Sequence, residues 1–557
     1  MLPLLQAEEI KHSVVEYLKA TFNFDDQQKV QAFEDLLHNP RNGMFKGPFI
    51  QIRLPFEKFT DKKVLSECLL IRPPYDPYQH QYLAFSRLTT RNGNDPEPVI
   101  LTTGTGSGKT EGFLYPILDY CYQHRDKPGI KAVILYPMNA LASDQARRLA
   151  EEIHDFQDED GNHILRDKIR AGLFIGEGKQ KKGSQRPTRM GADHIIEDRD
   201  TLIKAPPDIL FTNFKMLDFS LMQARFHGLW KYNLSNPELL RFLVLDELHT
   251  YDGAKGSDVA NLIRRLKLKL KLPKGHLVPV GTSATMSGGE EGKRDLVEFF
   301  SQVFGTKTDL DAVIEEHRQH PELFFTDDPK MPVIAKDRLH LCDFTKQDDY
   351  DSFVQNQLAF WGYDGIAPED LPDRLVENKA LLELLLIAGN DVIRVDKLVS
   401  KWIERIGLEE AITKTESLKI FGSLLTLVTY ARTKTGKNIF PFLYVQITYW
   451  MRSLNCVLLK AQPFPVFEWQ GDLLPTEEVL SLPPYFCREC GGSGWVGIKK
   501  ENNSHFESDH SRTRQMFIAD RQNKNVYLVS SLHEKSFEET FAPDYAPTGD
   551  PIEGYLD

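Results

Sequence analysis

Three short stretches of this chain hold residues whose types and order suit work on a nucleotide. The first is VILTTGTGSGKTEGF, Val99 to Phe113. An apolar run enters a glycine-rich turn and leaves it through Lys109 and Thr110 into a helical pattern. Such a turn directs several backbone N–H groups inward and sets a helix N-terminus beside them, which makes an anion site. Gly104, Thr105, Gly106, Ser107 and Gly108 form the expected cradle. Lys109 would reach the β- and γ-phosphates of ATP, and the Thr110 hydroxyl would sit on Mg²⁺. The strict pattern asks for glycine first, and Thr103 stands there instead. The bland alternative is a glycine-rich turn with a surface lysine.

The second stretch, FLVLDELHTYDG, delivers Asp246 and Glu247 to the end of an apolar run. Asp246 could hold Mg²⁺ opposite Thr110. Glu247 could orient and deprotonate the water that attacks the γ-phosphate. The third, GTSATM, puts the hydroxyls of Ser283 and Thr285 beside those acids, where they could relay nucleotide state. Upstream, PPYDPYQHQYLAF holds an extended segment before a helix near Gln79. The Gln81 amide suits the edge of an adenine, and Tyr75 or Tyr78 could stack on the base.

These residues need a scaffold. KAVILYP, AGLFIGE, DILFTN, FLVLDE and LVPVGTSAT are short apolar runs bounded by turn residues. Helical patterns such as ASDQARRLAEEIHDF separate them. The fold class expected is α/β, a mostly parallel sheet covered by helices on both faces. Ligands of such sheets gather at the carboxyl ends of the strands. The glycine-rich turn, Tyr136-Pro137, Asp246-Glu247 and Ser283-Ala284-Thr285 all fall at such ends.

Taken in this order and spacing, TGTGSGKT, DELH and SAT resemble motifs I, II and III of the superfamily 2 helicases. PYQHQ resembles their Q motif. YPMNALASDQ and PPDILFTNFKMLD resemble motifs Ia and Ic, which would place Asn139, Asp144, Thr212 and Asn213 along a nucleic-acid backbone. The longer forms, with DELHTYDGAKGSDVANLIRRL, are most similar to the Lhr-type and MrfA-type branch. That branch includes the large helicase of the Druantia anti-phage defence system. The resemblance covers about residues 70 to 300 and implies a RecA-like lobe driven by ATP and Mg²⁺. It implies translocation on nucleic acid, DNA rather than RNA, in phage defence or in DNA repair. It gives His249 a coupling role. Its second RecA-like lobe, with the arginine fingers of motif VI, is expected from further sequence or another chain, since no GRxGR-like stretch follows residue 300. A nucleotide-gated binding or scaffolding subunit without turnover of its own is the rival reading.

The chain has 557 residues, 41% hydrophobic and 27% charged, with a net charge of −12. That length calls for several domains, and the acidic balance argues against wholesale wrapping of nucleic acid while leaving room for a local basic groove. The loop GKQKKGSQRPTRMG carries Lys179, Lys181, Lys182, Arg186 and Arg189, which could contact phosphates. The six cysteines are scattered, the N-terminus lacks a signal peptide, and no apolar run reaches membrane length. A cytoplasmic protein with no membrane partner is expected. Residues 1–60 read as a helical accessory segment ending in a strand, GPFIQIRLPF, that enters the next domain. Residues 61–300 read as the RecA-like lobe, 301–365 as a connector, and 366–480 as a helical insertion, winged-helix-like or plain. LYVQITYWMRSL is expected in a core. In 481–557, Cys487 and Cys490 have the C-x₂-C spacing of a zinc knuckle, with His505 and His510 or unidentified residues as further ligands. The start of a second lobe would follow.

Overall fold

The computed structural model describes residues 3–498 except 40, 105, 159, 177–185, 284–288, 344–348, 409, 436–437, 463, 473–479 and 490, together with the strand backbone of 526–530. The chain forms two compact units: Phe56–Gln319, and Met1–Pro55 together with His320–Asp557.

Phe56–Gln319 is built on seven parallel strands: β1 (Val99–Thr102), β2 (Ala132–Leu135), β3 (Ala171–Phe174), β4 (Ile209–Thr212), β5 (Phe242–Leu245), β6 (Val278–Ser283) and β7 (Val313–Glu315). Their order across the sheet is β3-β4-β2-β5-β6-β1-β7. Every residue of β1 to β6 is buried. That is why these strands read as continuous apolar runs rather than as alternating ones: both sheet faces are covered. Val99, Leu101, Ile134 and Val244 pack into one core, and Ile100, Val133, Leu135, Leu243 and Leu245 into the other. The two periods of the strand thus feed two separate helix layers. The helix Gly253–Lys269 turns Val259, Leu262, Ile263 and Leu266 inward, as its spacing predicts. Arg265 stays exposed on the outer face, where it pairs with Asp218.

The other unit has its own core. Helices Lys379–Ala388 and Val395–Arg405 flank the short strand Ile393–Arg394. They pack with helix Lys414–Tyr430, which starts on a reciprocal cap between Thr413 and Glu416. Three expectations need revision. The strand in GPFIQIRLPF does not enter the sheet of the helicase-like segment. Phe45–Arg53 pairs antiparallel with Tyr444–Met451 and with Ile393–Arg394, hundreds of residues on. Residues 301–365 are not a plain connector: β7 completes the seven-stranded sheet, and Phe353, Val354 and Leu358 of helix Tyr350–Phe360 are core residues. LYVQITYWMRSL is not core throughout, because Tyr444–Met451 is an edge strand that exposes Tyr444, Trp450 and Met451. Hydrophobic content alone could not distinguish an edge strand from a central one, since an edge is defined by what pairs with it.

Candidate nucleotide-binding site

β1 ends at Thr102, and the chain turns through Gly106 and Gly108 into the helix Lys109–Gln123. Both glycines take positive φ, +78° and +77°. Side chains rarely tolerate that conformation, so glycine is required for the turn. Thr103 has a use of its own: its buried hydroxyl lies 2.6 Å from Ser107 Oγ and staples the two ends of the turn. Lys109 Nζ donates to Thr103 O at 3.0 Å and to Ser283 O at 3.2 Å, so the ammonium sits at the carboxyl ends of β1 and β6. Thr110 follows in the first helical turn and is half-buried. Thr105 lies outside the described residues.

Helix Lys109–Gln123 is fixed from two sides. Glu111 and Arg148 pair at 2.6 Å, and Tyr115 Oη donates to Glu152, tying it to helix Asn139–Asp155. Asp119 accepts the Leu70 and Ile71 N–H groups, each at 2.7 Å, which anchors the segment leading to Gln81.

β6 lies between β1 and β5 in the sheet and joins the two chemical motifs. Its backbone holds Lys109 through Ser283. Its Thr282 hydroxyl donates to Asp246 Oδ1 and accepts the Glu247 N–H at 3.0 Å. Asp246 stands just past β5, with its N–H on Leu135 O of β2 at 3.0 Å. Burial raises its pKa above the ordinary carboxylate value, and the neighbouring Glu247 adds to this; the Thr282 hydrogen bond and the Lys109 charge act the other way. Glu247 has φ +52°, a left-handed turn that swings the chain out of the strand. Its carboxylate is 3.4 Å from Nδ1 of the exposed His249. Thr285 lies outside the described residues.

Gln81 is held at both ends of its amide. It is 2% exposed, its Oε1 accepts the Tyr78 N–H at 2.9 Å, and its Nε2 donates to Gly108 O at 3.0 Å. The amide therefore ties the preceding helix to the glycine turn rather than presenting an edge to a base. His80 does the same: its Nε2 donates to Ser107 O at 2.8 Å. Burial holds the His80 imidazole below its ordinary pKa, partly offset by that bond. The rings of Tyr78 and His80 lie 4.9 and 5.3 Å from Phe56. Sequence reading passed over Thr282, His80 and Phe56. Thr282 and His80 each adjoin a residue that was singled out, and Phe56 carries no local signal.

Of the nucleic-acid candidates, the structure joins two. Asn213 Nδ2 donates to Asn139 Oδ1 at 2.7 Å, past the ends of β4 and β2. Asp144 is exposed and pairs with Arg147 at 3.1 Å. Thr212 is fully buried, and its hydroxyl donates to Phe174 O at 2.6 Å, so it ties β4 to β3. Lys179, Lys181 and Lys182 lie outside the described residues, as do Cys490, His505 and His510. Cys487 begins a tight turn, with its N–H on Gly492 O at 2.8 Å, between strands Pro484–Phe486 and Ser493–Ile498.

The DEAD/DEAH box helicase family matches residues 78–291. That segment is thus similar to the DEAD/DEAH box helicases. Its sheet is the mostly parallel α/β arrangement expected from the sequence. Relatives of this segment include the Druantia protein DruE of Escherichia coli, 28% identical over an alignment 304 residues long that covers 39% of this chain and 16% of that protein. The uncharacterized ATP-dependent helicase YprA of Bacillus subtilis is 33% identical over 214 residues, 38% of this chain and 23% of that protein. Among solved structures, the DUF1998 helicase MrfA bound to DNA aligns at 25% identity and a TM-score of 0.32, covering 48% of this chain and 32% of MrfA. The chain thus spans between 16% and 31% of the length of the first curated relatives it matches. No helix among the described residues is long and apolar enough to cross a membrane.

Proposed function

We propose that this chain is the first motor lobe of an ATP-dependent superfamily 2 helicase or translocase, acting on DNA in the cytoplasm. One observation carries the reading. A single strand, β6, holds both the phosphate-side lysine, through Ser283 O, and the acid pair, through Thr282. Lys109 would neutralise phosphate charge as it builds in the transition state. Glu247 would orient and deprotonate the attacking water. The Thr110 hydroxyl and the Asp246 carboxylate are hard oxygen donors and fit Mg²⁺. A bound Mg²⁺ would supply charge neutralisation for the phosphates. Asn139 and Asn213, linked to each other, are the proposed contacts to a nucleic-acid backbone, with Asp144 beside them. Turnover would draw on a second RecA-like lobe. The likeness to DruE supports a place in phage defence, and a DNA-repair role is the alternative. Cys487 and Cys490 remain proposed zinc ligands.

ATP hydrolysis by the 557-residue chain, with and without single-stranded DNA, tests this against Lys109→Ala. ATP binding that the substitution abolishes is the expected result. ATP binding unaffected by Lys109→Ala would overturn the assignment of the site.

A further inference from the structure

Glu316 lies just past β7 and reaches back over the glycine turn: its Oε2 accepts the Gly104 N–H at 3.3 Å. The side chain is only 13% exposed. Arg318, 5% exposed, holds it there, with Nε on Oε1 at 2.8 Å and a second nitrogen on Oε2 at 3.3 Å. The Arg318 guanidinium lies 4.0 Å from the centre of the Phe56 ring. This corner is stitched into the site's frame by backbone bonds. Glu57 N–H donates to His317 O at 3.0 Å, and Gln79 N–H donates to Glu57 O at 2.8 Å. Glu316 and Arg318 are thus fixed with respect to Tyr78, His80, Gln81 and the turn they support.

A carboxylate on an N–H of a phosphate-binding turn does what a phosphate oxygen would do. The two anions cannot share the place, because like charges a few ångströms apart repel strongly where water is largely excluded. We propose that Glu316 is a built-in competitor for the phosphate place. A nucleotide binds by evicting it, and the Glu316–Arg318 pair thereby sets nucleotide affinity. Eviction also leaves the Arg318 guanidinium facing the incoming polyphosphate, so the pair exchanges an internal anion for the ligand's. The inference rests on the nucleotide-site reading above and adds the residues that tune it.

The experiment measures ATP, ADP and adenosine affinities of the full chain by competition against a fluorescent ADP. Glu316→Gln keeps the shape and removes the charge; Glu316→Ala removes both. Each is expected to tighten ATP and ADP roughly three- to thirtyfold and to leave adenosine unchanged, since only the phosphates meet the carboxylate. Arg318→Met is expected to weaken ATP, because the guanidinium that would face the polyphosphate after eviction is gone. A merely structural role for Glu316 would weaken binding and would not separate ATP from adenosine. If both Glu316 variants bind ATP within twofold of the parent while Lys109→Ala abolishes binding, the competitor idea is overturned and the nucleotide site stands. If Lys109→Ala binds ATP as the parent does, both readings fall together.

Discussion

The Thr282 hydroxyl donates to the Asp246 carboxylate and accepts the N–H of Glu247, so one side chain on β6 fixes both acids at the end of β5. The same strand accepts from Lys109 through Ser283 O. The strand between the phosphate turn and the acids is therefore a physical link between them, not a spacer.

Thr282→Val should break both bonds while preserving shape. It removes one hydrogen bond from each of two half-buried groups, which costs about 1–3 kcal/mol. The expected result is a melting temperature a few degrees lower for Thr282→Val, with Thr282→Ser close to the parent. Calorimetry of the full chain checks it. Equal melting for Val and parent would show that the hydroxyl contributes nothing.

Gly106 and Gly108 make a paired test of backbone against space. Both sit near φ +78°, yet a Cβ at Gly106 meets nothing within 4 Å, and one at Gly108 would stand 2.3 Å from Gln81 Nε2. Gly106→Ala should cost only the conformational penalty, about 1–2 kcal/mol. Gly108→Ala should cost more, displace Gln81 from Gly108 O, and weaken ATP binding at least tenfold. Melting temperatures and ATP affinities of the two variants decide the matter.

Acid should destabilise this protein in part through His80. Its native pKa lies below the unfolded value of 6.5 because it is buried. Below about pH 6.5 the unfolded chain therefore binds more protons, and stability falls as pH drops, by at most about 1.4 kcal/mol per pH unit for one histidine. His124 and His276 are lowered for the same leading reason and act in the same sense. Urea midpoints at pH 7.5 and 5.5 should differ more for the parent than for His80→Gln. An unchanged difference would remove His80 from the account.

Cys487 follows the first of two short antiparallel strands, and its C-x₂-C spacing to Cys490 is the basis of the proposed knuckle. Elemental analysis of the purified chain should find one zinc per chain, lost in Cys487→Ser and in Cys490→Ser. A parent without zinc, purified in zinc-supplemented medium, would refute the knuckle.

Much of the motor segment was legible because its signals are local. Buried parallel strands announce themselves as apolar runs, and a phosphate turn needs glycine at set positions, so VILT, FLVL and TGTGSGKT could be read without partners. What went unread depends on partners remote in sequence. Glu316 is 212 residues from Gly104, and nothing around it distinguishes it from the other acids of that acidic stretch. Gln81 carried the right amide, but only packing decided that both its ends would be used inside the protein.

The sequence by itself determined the order of the strands along the chain, the glycine turn, and the position of the two acids at a strand end, because each follows from periodicity or from backbone geometry within a few residues. Tertiary structure alone decided that β6 lies between β1 and β5 and that Thr282 joins the acids. It also decided that Phe45–Arg53 pairs with Tyr444–Met451 rather than joining the motor sheet. Strand adjacency and side-chain pairing are set by which buried faces and polar groups satisfy one another in space, and no local stretch contains both partners.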